Sequence, residues 1–429
     1  MSDRRASNPQ TDSKNAMLIP ISLDIPDVKV EKVDPSTEKG FVITVVSELK
    51  GTECKRCGKA IDKFYGYGKE ITLRHLPIFE KPVWLKLKPK RYQCPYCDNS
   101  PTTTQTCTWY DRKSPQTKAY EQWLLRELIN STLTDVSMKR GIGEEAIEGL
   151  LNRHVHQQVE WPKIGAIPLL GIDEIALKKG HKDFVVIVSA INKQGDKHIL
   201  AVLPDRKKET VIAFLAAIPS PQKATIQRVC VDMYEGYSNA VYEALPNVAV
   251  VVDRFHVAKN YRACADKARK QEMQALKKTL SEPEYAELKG VMWAFRKHWV
   301  DLTEEQRVQL LMLFHYAPVL QQVYVLREVL TGIFNGPLTK AQAVIELNAW
   351  IVRVQELGLD CFGSFVGTLQ KWMDEISNYF IQRQSSGFVE GLNNKIKVIK
   401  RRCYGIYDLG RLFQHIWLDV EGRRLFGYA

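Results

Sequence analysis

The sequence predicts a multidomain protein that combines α+β and α/β parts. Its 429 residues exceed what a single compact core normally contains, and 45% hydrophobic with 26% charged residues is typical of a globular chain. Two CxxC pairs flank short strand-like segments near the N-terminus. Strand and helix patterns then alternate over residues 164–253, before a long stretch with only helical periodicity. These observations separate an N-terminal cysteine-bearing region from a larger α/β core with a helical insertion.

Changes of pattern divide the chain into six predicted segments. These are a disordered N-terminus at 1–16, a zinc-ribbon DNA-binding domain at 17–112, a helix-turn-helix domain at 113–160, the first part of the α/β core at 161–257, an all-helical insertion at 258–384 and the C-terminal part of the core at 385–429.

Charge and cysteine usage limit the classes of function. A formal net charge of +12 favours a polyanionic partner. The apolar runs are too short for a membrane span, and the polar N-terminus has no signal-peptide pattern. Nine cysteines, two pairs of them closely spaced, indicate metal binding in a reducing compartment more than a disulfide framework. We therefore expect a cytoplasmic protein that binds nucleic acid.

The two CxxC pairs predict a structural zinc site formed by Cys54, Cys57, Cys94 and Cys97. The gap between the pairs is longer than the roughly 15–20 residues usual for a zinc ribbon, so a β-hairpin is expected to close it. Two alternatives remain, since Cys107 could replace one ligand or the cysteines could stay reduced without metal. Basic residues next to the second pair are predicted to contact DNA phosphates: Lys86, Lys88, Lys90 and Arg91.

Residues 133–150 have the spacing of a helix-turn-helix, with Gly141 at the turn and apolar residues on both sides. The second helix would carry three glutamates that repel phosphate, so a purely structural helical hairpin is the alternative. Any contact with a DNA groove is expected to come instead from Lys139, Arg140 or Arg153.

Two aspartates, Asp173 and Asp232, each follow a run of β-branched residues. The predicted element order βββαβαβ allows the first and fourth strands to be neighbours, so that these carboxylates meet. Either aspartate alone would more often be a turn or helix cap. Glu174 points to the opposite face of the strand from Asp173 and is not expected to share a ligand with it.

A third carboxylate, Glu390, lies on an amphipathic basic helix near the C-terminus. Three carboxylates from separate elements match a two-metal site, in which divalent ions about 3.5–4 Å apart activate an attacking oxygen and stabilise the leaving one. A solvated basic helix with an ordinary surface glutamate is the alternative. The polar side of this helix is predicted to contact phosphates through Asn394, Lys397, Lys400, Arg401 and Arg402.

Asp253 and His256 follow the last predicted strand and either cap a helix or border the catalytic cleft. The tryptophans of the helical insertion are predicted to be core residues and not base-stacking wedges: Trp293, Trp299, Trp350 and Trp372.

The order of these motifs resembles that of bacterial insertion-sequence transposases of the ISL-three group over nearly the whole chain. The resemblance rests on the double-CxxC ribbon, the helix-turn-helix and the segments GIDEIALKKGH, VCVDMYEGY, VVVDRFHVAKN and EGLNNKIKVIKRRCYG. It implies an RNase H-like core with a DDE triad at Asp173, Asp232 and Glu390, which binds two Mg²⁺ or Mn²⁺ ions. The spacing of Asp253 and His256 is similar to a DxxH signature of Mutator-like and hAT transposases with helical insertions.

The resemblance also implies function and partners. A DDE transposase would bind the terminal inverted repeats through its N-terminal domains, cleave DNA and join it to target DNA, as a homodimer or larger assembly. A DNA-binding regulator without chemistry and a structure-specific nuclease or resolvase are the alternative functions. The expected location is the bacterial cytoplasm, in association with the nucleoid.

Overall fold

The computed structural model describes residues 22–36, 40–178, 182–382, 387–403 and 408–427, without the side chains at 36, 178, 182, 183, 387, 388 and 390. The chain forms two compact units, Met1–Glu127 and Leu128–Ala429. The segment 1–16, predicted to be disordered, lies outside the described residues. None of the described helices is both long and apolar enough to cross a membrane.

The first unit is built from short strands and one helix. A four-stranded sheet has the order β1-β2-β7-β6, in which β2 and β7 are parallel and the other pairs antiparallel. A three-stranded sheet, β5-β8-β9, and a two-stranded one, β3-β4, carry the cysteines. The elements are β1 (Val28–Ser36), β2 (Gly40–Ser47), β3 (Thr52–Glu53), β4 (Ala60–Ile61), β5 (Phe64–Tyr67), β6 (Ile71–Ile78), β7 (Lys81–Leu87), β8 (Lys90–Gln93), β9 (Thr102–Thr104) and α1 (Lys118–Leu128).

The hairpin predicted between the cysteine pairs is β6–β7. Val83, Leu85 and Leu87 alternate with more exposed residues along β7 and are fully buried, because successive side chains of a strand point to opposite faces. This apolar face forms the core of the first unit together with residues of β2 and β6.

The second unit opens with two short helices, α2 (Leu133–Arg140) and α3 (Glu144–His154). Thr132 caps α2, and Gly141 ends it with a φ of 59°, a left-handed conformation that glycine adopts without steric cost. The helix pair and its turn therefore lie where the sequence predicted them. A short helix, α4 (Trp161–Ile164), leads into the central sheet.

The central sheet has the strand order β12-β11-β10-β13-β14, with β10, β13 and β14 parallel and β11 antiparallel to both of its neighbours. The predicted order βββαβαβ is confirmed apart from an additional four-residue helix, α6, before the fourth strand, and the predicted contact between the first and fourth strands is confirmed. The elements are β10 (Leu169–Lys178), β11 (Lys182–Ile191), β12 (Lys197–Leu203), α5 (Lys208–Ala217), α6 (Ser220–Lys223), β13 (Arg228–Val231), α7 (Glu235–Ala244) and β14 (Ala249–Val252).

The helical insertion begins at Arg254, directly after β14 and earlier than the predicted residue 258. It contains α8 (Arg254–Thr279), α9 (Glu282–Glu287), α10 (Val291–Arg296), α11 (Glu304–Tyr316), α12 (Pro318–Asn335), α13 (Lys340–Glu356), α14 (Gly363–Lys371), α15 (Met373–Ser377) and α16 (Tyr379–Gln382), with 3₁₀ turns at Trp299–Asp301 and Asp360–Phe362. Its core surrounds Trp350, which packs edge-on against Tyr261, Phe362 and Phe365.

The prediction that all four tryptophans of the insertion are core residues is wrong for two of them. Trp350 and Trp372 are buried, but Trp293 is 62% exposed and Trp299 is 38% exposed. On α10 the inward positions are taken by Val291, Ala294 and Phe295, so the helical period turns Trp293 outward.

The chain ends with α17 (Gly387–Arg402) and α18 (Leu409–Phe426). The apolar side of α17 is buried through Val389, Leu392, Ile396 and Ile399, which confirms the predicted amphipathic helix. Polar contacts attach α18 to the sheet and to α3. Glu421 accepts a hydrogen bond from His198 Nδ1 at 2.9 Å, and Arg411 pairs with Glu148 at 2.6 Å.

Candidate functional site

The four predicted zinc ligands form one compact cluster. The Sγ atoms of Cys54 and Cys97 are 3.9 Å apart and those of Cys57 and Cys94 are 3.7 Å apart, and all four sulfurs lie within 4.8 Å of one another. A tetrahedral zinc with Zn–S bonds of about 2.3 Å requires sulfur separations of roughly 3.8 Å. The cluster therefore has the dimensions of a closed structural zinc site.

The charges of the cluster also favour a cation. Backbone N–H groups of Cys57 and Arg56 lower the pKa of Cys54 to about 6, whereas burial raises the pKa of Cys97 to about 12 and also raises that of Cys94. The Cys54 thiol therefore ionises readily, whereas the Cys94 and Cys97 thiols resist ionisation beside it. A divalent cation would supply the charge that allows all four to act as thiolates.

The alternative ligand Cys107 is excluded. Its side chain is buried in the apolar core beside the four-stranded sheet, with Trp109 and Tyr110, and is not part of the sulfur cluster.

The basic residues near the cysteine cluster differ in exposure and in their contacts within the protein. Lys88 is exposed and lies 3.8 Å from Glu70, whereas Lys90 donates to the carbonyl of Leu49 at 3.4 Å. Lys86 is half-buried, and Arg91 donates to the Thr102 hydroxyl and covers the ring of Tyr65.

Sequence reasoning missed a set of exposed aromatic side chains on this small domain: Phe64, Tyr65, Tyr67 and Tyr96. The aromatic run in β5 was the available signal.

A second candidate site lies at the carboxyl ends of β13 and β14, beside the middle of β10. The paired residues Gly171 and Cys230 precede Asp173 and Asp232 by two positions each. Asp253 directly follows Val252, which pairs with Val231. The register therefore aligns three aspartates in one row, here called the aspartate row (Asp173, Asp232 and Asp253). Carboxyl ends of neighbouring parallel strands are the usual location of active sites in α/β sheets.

Asp173 is held by two hydrogen bonds. The amide of Asn393 in α17 donates to Oδ2, and the N–H of Glu174 donates to Oδ1 at 2.7 Å. Burial raises the pKa of Asp173, and the negative charge of Asp253 adds to this effect, while His256 and the two hydrogen bonds oppose it.

Asp232 lies close to other negatively charged side chains. Burial raises the pKa of its carboxyl group to about 7, and the negative charges of Asp173 and Glu174 contribute further. The N–H of Tyr234 donates to Oδ1 at 3.1 Å, which offsets only part of the rise. Two adjacent, largely buried carboxylates of this kind are unfavourable unless a proton or a cation joins them.

Glu174 faces away from Asp173, as its position in the strand predicts. It accepts a hydrogen bond from the Tyr237 hydroxyl of α7 at 3.3 Å and lies 3.5 Å from Arg206. Because Asp173 contacts α17 and Glu174 contacts α7, these two helices cover opposite faces of β10.

Glu390 belongs to α17, but its side chain lies outside the described residues. The helix itself lies against β10, since Asn393 reaches Asp173 and Lys400 donates to the carbonyl of Ala176. Glu390 precedes Asn393 by one helical turn, so the backbone that carries Glu390 is close to the aspartate row.

Asn393 is a site residue that sequence reasoning missed, because the exposed Asn394 was assigned to the polar stripe instead. Its amide nitrogen donates to Asp173, while its buried amide oxygen accepts no hydrogen bond from any described group. Such an orphaned oxygen beside a carboxylate needs a donor, water or cation as its partner.

The chemistry of these donors fits a magnesium ion. Asp173, Asp232 and Asn393 have hard oxygen atoms, which Mg²⁺ prefers. The charges of His256 and Arg206 offset only part of the rise in the pKa of the two carboxyl groups. Among the described side chains, the four cysteines are the only group of three or more cysteine, histidine or acidic residues close enough to hold a metal. Completion of a carboxylate triad therefore depends on Glu390.

The polar side of α17 divides into two sets. Asn394, Lys397 and Arg401 are exposed, as a surface for DNA requires. Lys400 and Arg402 are instead engaged within the protein, contrary to their predicted role as DNA contacts. Lys400 donates to a carbonyl of β10, and Arg402 pairs with the buried Asp419 of α18 at 2.8 Å.

Both interpretations of the DxxH segment find support. Asp253 accepts a hydrogen bond from the N–H of Phe255 at 2.8 Å and caps α8, as the structural alternative proposed. Asp253 and His256 also act electrostatically on Asp173, so they border the aspartate row.

Comparison with known proteins agrees with this architecture. A family model of the ISL3 type of DDE transposase, described as a transposase, matches residues 170–416. The chain belongs to the ISL3 transposase family. The matched region contains β10, the helical insertion and α17, and thus Asp173, Asp232 and Glu390. A second model, the zinc-finger of the transposases of IS204, IS1001, IS1096 and IS1165, matches residues 50–97 and includes all four cysteines of the cluster.

This ISL3-family chain is also similar to curated transposases along nearly its whole length. It is 28% identical to the transposase for insertion sequence element IS1001 of Bordetella parapertussis, over 92% of this chain and 95% of that protein. It is 22% identical to the transposase for insertion sequence element IS1557 of Mycobacterium tuberculosis, over 93% of both chains.

The second helix of the predicted helix-turn-helix, α3, is held against α18 by polar contacts. In α3, Glu148 pairs with Arg411, and Asn152 accepts a hydrogen bond from Gln414 at 2.8 Å. Among the residues predicted as alternative DNA contacts, Lys139 and Arg153 are exposed, and Arg140 is half-buried.

Without metal, replacement of Asp232 by asparagine is expected to stabilise the protein at alkaline pH. Folding raises the pKa of Asp232 to about 7 from an ordinary value near ~4, so its contribution to stability is complete below about pH 4 and is lost as the pH rises through 7. Asp232→Asn should therefore unfold like wild type near pH 4 and gain stability up to pH 7, by at most about 4 kcal/mol. Thermal unfolding in EDTA between pH 4 and 8 measures this difference.

Asp205→Asn is the matched control with the opposite sign. Hydrogen bonds from Thr210 and the Lys207 N–H lower the pKa of Asp205, so its charged form favours the folded state. This substitution should lower stability at pH 8. A pH-independent effect of Asp232→Asn would contradict the electrostatic interpretation.

Proposed function

We propose that this ISL3-family chain is a DDE transposase that binds the terminal inverted repeats of its insertion sequence and catalyses metal-dependent DNA cleavage and strand transfer. The observation that carries the proposal is the parallel pairing of β10 and β13, which sets Asp173 beside Asp232, with the Glu390-bearing helix against the same strand. An RNase H-like core is supported by three antiparallel strands followed by two parallel ones, in the order β12-β11-β10-β13-β14.

We assign the metal-binding oxygens to Asp173, Asp232 and Glu390. When bound there, two Mg²⁺ or Mn²⁺ ions supply activation of the attacking oxygen and stabilisation of the leaving oxygen. Asp173 presents one carboxylate oxygen to Asn393 and the other to the N–H of Glu174, so its orientation is set before any ion binds. Asn393 acts as a positioning residue for Asp173.

The reaction consists of two transfers at phosphorus. In cleavage, a water oxygen forms a P–O bond as the bond to the 3′-oxygen of the element's strand breaks, which leaves a 3′-hydroxyl group. In strand transfer this hydroxyl attacks a target phosphodiester, a new P–O bond forms and the 3′-oxygen of the target leaves. Neither step requires a covalent bond to the protein, so the protein's contribution is to position the DNA and hold the ions.

DNA recognition is assigned to three surfaces. The zinc ribbon, with one structural Zn²⁺ on its four cysteines, presents exposed aromatic residues together with Lys88. The α2–α3 pair serves as the helix-turn-helix, with Lys139 and Arg153 as contacts. The third surface is α17, the helix that carries Glu390, where the exposed Asn394, Lys397 and Arg401 contact phosphates. The working assembly is a homodimer or larger complex that pairs the two ends of the element.

Loss of any triad carboxylate is expected to abolish both transfers. Asp173→Asn, Asp232→Asn and Glu390→Gln should each lower the rate by more than about 100-fold, since even residues that support a metal ligand contribute 10- to 100-fold. The measurement is cleavage and joining of labelled element-end DNA with Mg²⁺ or Mn²⁺. Glu235→Gln is the control, because Glu235 is exposed and paired with Lys371.

Wild-type activity in any of the three variants would remove that residue from the triad. Cleavage without joining by the wild-type protein would identify a nuclease or resolvase instead of a transposase.

Asn393→Ala is expected to raise the Mg²⁺ concentration needed for half-maximal cleavage by about 10- to 100-fold, because Asp173 loses a hydrogen bond that orients it. Asn394→Ala is the matched control, since this neighbouring side chain is exposed. It should weaken DNA binding without changing the Mg²⁺ dependence. Equal Mg²⁺ dependence of the two variants would refute the positioning role of Asn393.

The zinc assignment predicts one Zn²⁺ per chain. Cys94→Ser should lose the ion and weaken binding to element-end DNA, because the ribbon depends on four thiolates. Cys107→Ser should retain the ion, as Cys107 lies in the apolar core. Metal analysis of the purified proteins tests both expectations, and retention of zinc by Cys94→Ser would rule out this ligand set.

A further inference from the structure

The helical insertion contains a cleft whose walls are rich in arginine. It has a volume of about 100 Å³, and its lining includes Arg254, Arg262, Arg296, Arg327 and His298. A narrower recess adjoins it and shares Arg262, Arg296 and Arg327. The cleft is formed by α8, the end of α10 and α12, and we refer to it as the arginine cleft.

Only part of this positive charge is neutralised within the protein. Arg296 pairs with Asp266, with Nε and Oδ1 3.3 Å apart, and Glu328 pairs with both Arg327 and His298, at 2.7 and 3.0 Å.

The other two guanidinium groups have no carboxylate partner in the part of the chain that the structure describes. Arg254 donates to two neutral oxygens, those of Asn335 and the Tyr379 hydroxyl, both at 3.3 Å. Arg262 is exposed at the cleft, and no hydrogen-bond or ion-pair partner is found for it among the described residues. The arginine cleft therefore has an excess of positive charge that an anionic ligand would neutralise.

The arginine cleft is connected to the aspartate row by the first turn of α8. Asp253 caps this helix, Arg254 is its first residue, and Val257 and Ala258 line the cleft. His256 in the same turn acts on the charge of Asp173. An anion in the cleft would thus lie within a short distance, along α8, of the site where DNA is cleaved.

We propose that the arginine cleft binds phosphodiester groups of the DNA strand that passes through the catalytic site. This inference rests on the proposed function. The planar guanidinium fork matches two phosphate oxygens, and the exposed Arg262, for which no partner is found among the described residues, can present its fork in this way. Arg327 contributes positive charge to the cleft, while its guanidinium group is engaged by Glu328 and by the carbonyl of Phe295 at 2.7 Å. The exposed ring of Trp293 lies beneath Arg296 and provides a face for a base, which favours a nucleic acid over a free anion.

The test compares Arg262→Glu and Arg254→Gln with Arg353→Glu, an exposed arginine of α13 outside the cleft. Binding of the full-length protein to fluorescent element-end DNA is measured by anisotropy in Ca²⁺, so that no chemistry is required, at several salt concentrations. Each cleft variant should lower the slope of log Kd against log salt by about one and raise the Kd roughly five-fold or more. The Kd of Arg353→Glu should stay within about two-fold of the wild-type value. The thermal stability of Arg262→Glu should not fall below that of wild type, because no partner of Arg262 is found among the residues that the structure describes.

Wild-type affinity and salt slope in both cleft variants would overturn the proposal. It would also be overturned if the variants bound DNA normally but lost a stabilisation that inorganic phosphate gives the wild-type protein, since the cleft would then take a free anion. Failure of the proposed function is distinguishable. A wild-type protein that binds DNA through the cleft but neither cleaves nor joins it would refute the transposase assignment and retain the cleft.

Discussion

The second unit of this protein depends on the parallel pairing of β10 with β13. This pairing joins the antiparallel half of the sheet to the parallel half. It sets Asp232, just after the end of β13, next to Asp173 in the middle of β10. Burial raises the pKa of both carboxyl groups. The negative charge of Asp253 adds to this effect at Asp173, as that of Asp173 does at Asp232, so the ionised pair opposes folding. In the function proposed above, bound cations would offset this cost.

The position of α17 follows from contacts around that edge. Asn393 and Lys400 attach the helix to β10, and Arg402 attaches it to the buried Asp419 of α18. Asp419 in turn accepts a hydrogen bond from the N–H of Asn130, at the start of the α2–α3 region, at 2.7 Å. α17 is thus held by polar contacts that involve the sheet, the last helix and the segment before the helix pair. Lys400 and Arg402, which the sequence predicted as DNA contacts, are used to hold this helix in place.

The same electrostatic principle governs the cysteine cluster. Four thiols lie closer together than their ionisation allows without a cation, and the surrounding strands are too short to form a large core of their own. In both places the protein supplies anionic ligands in excess of its own compensating charge. The arginine cleft is the reverse case, an excess of positive charge that fits phosphate.

Local patterns in the sequence determined a large part of this description. The succession of strands and helices along residues 164–253, the hairpin between the cysteine pairs, the turn at Gly141 and the buried side of α17 all follow from periodicity and from residue types that act over a few positions. The four cysteines could be grouped for the same reason, because thiolate spacing is itself a local signal.

Tertiary structure decided what local patterns leave open. Asn393 and Asn394 are adjacent residues of the same type. Only the packing of α17 against β10 turns Asn393 toward Asp173. Trp293 points outward because its neighbours on α10 occupy the inward positions, and Lys400 and Arg402 are withdrawn from solvent by partners more than 15 residues away in sequence. The arginine cleft combines α8, α10 and α12, which are separated by tens of residues. Such contacts depend on which elements meet in space, and a one-dimensional pattern carries that information only weakly.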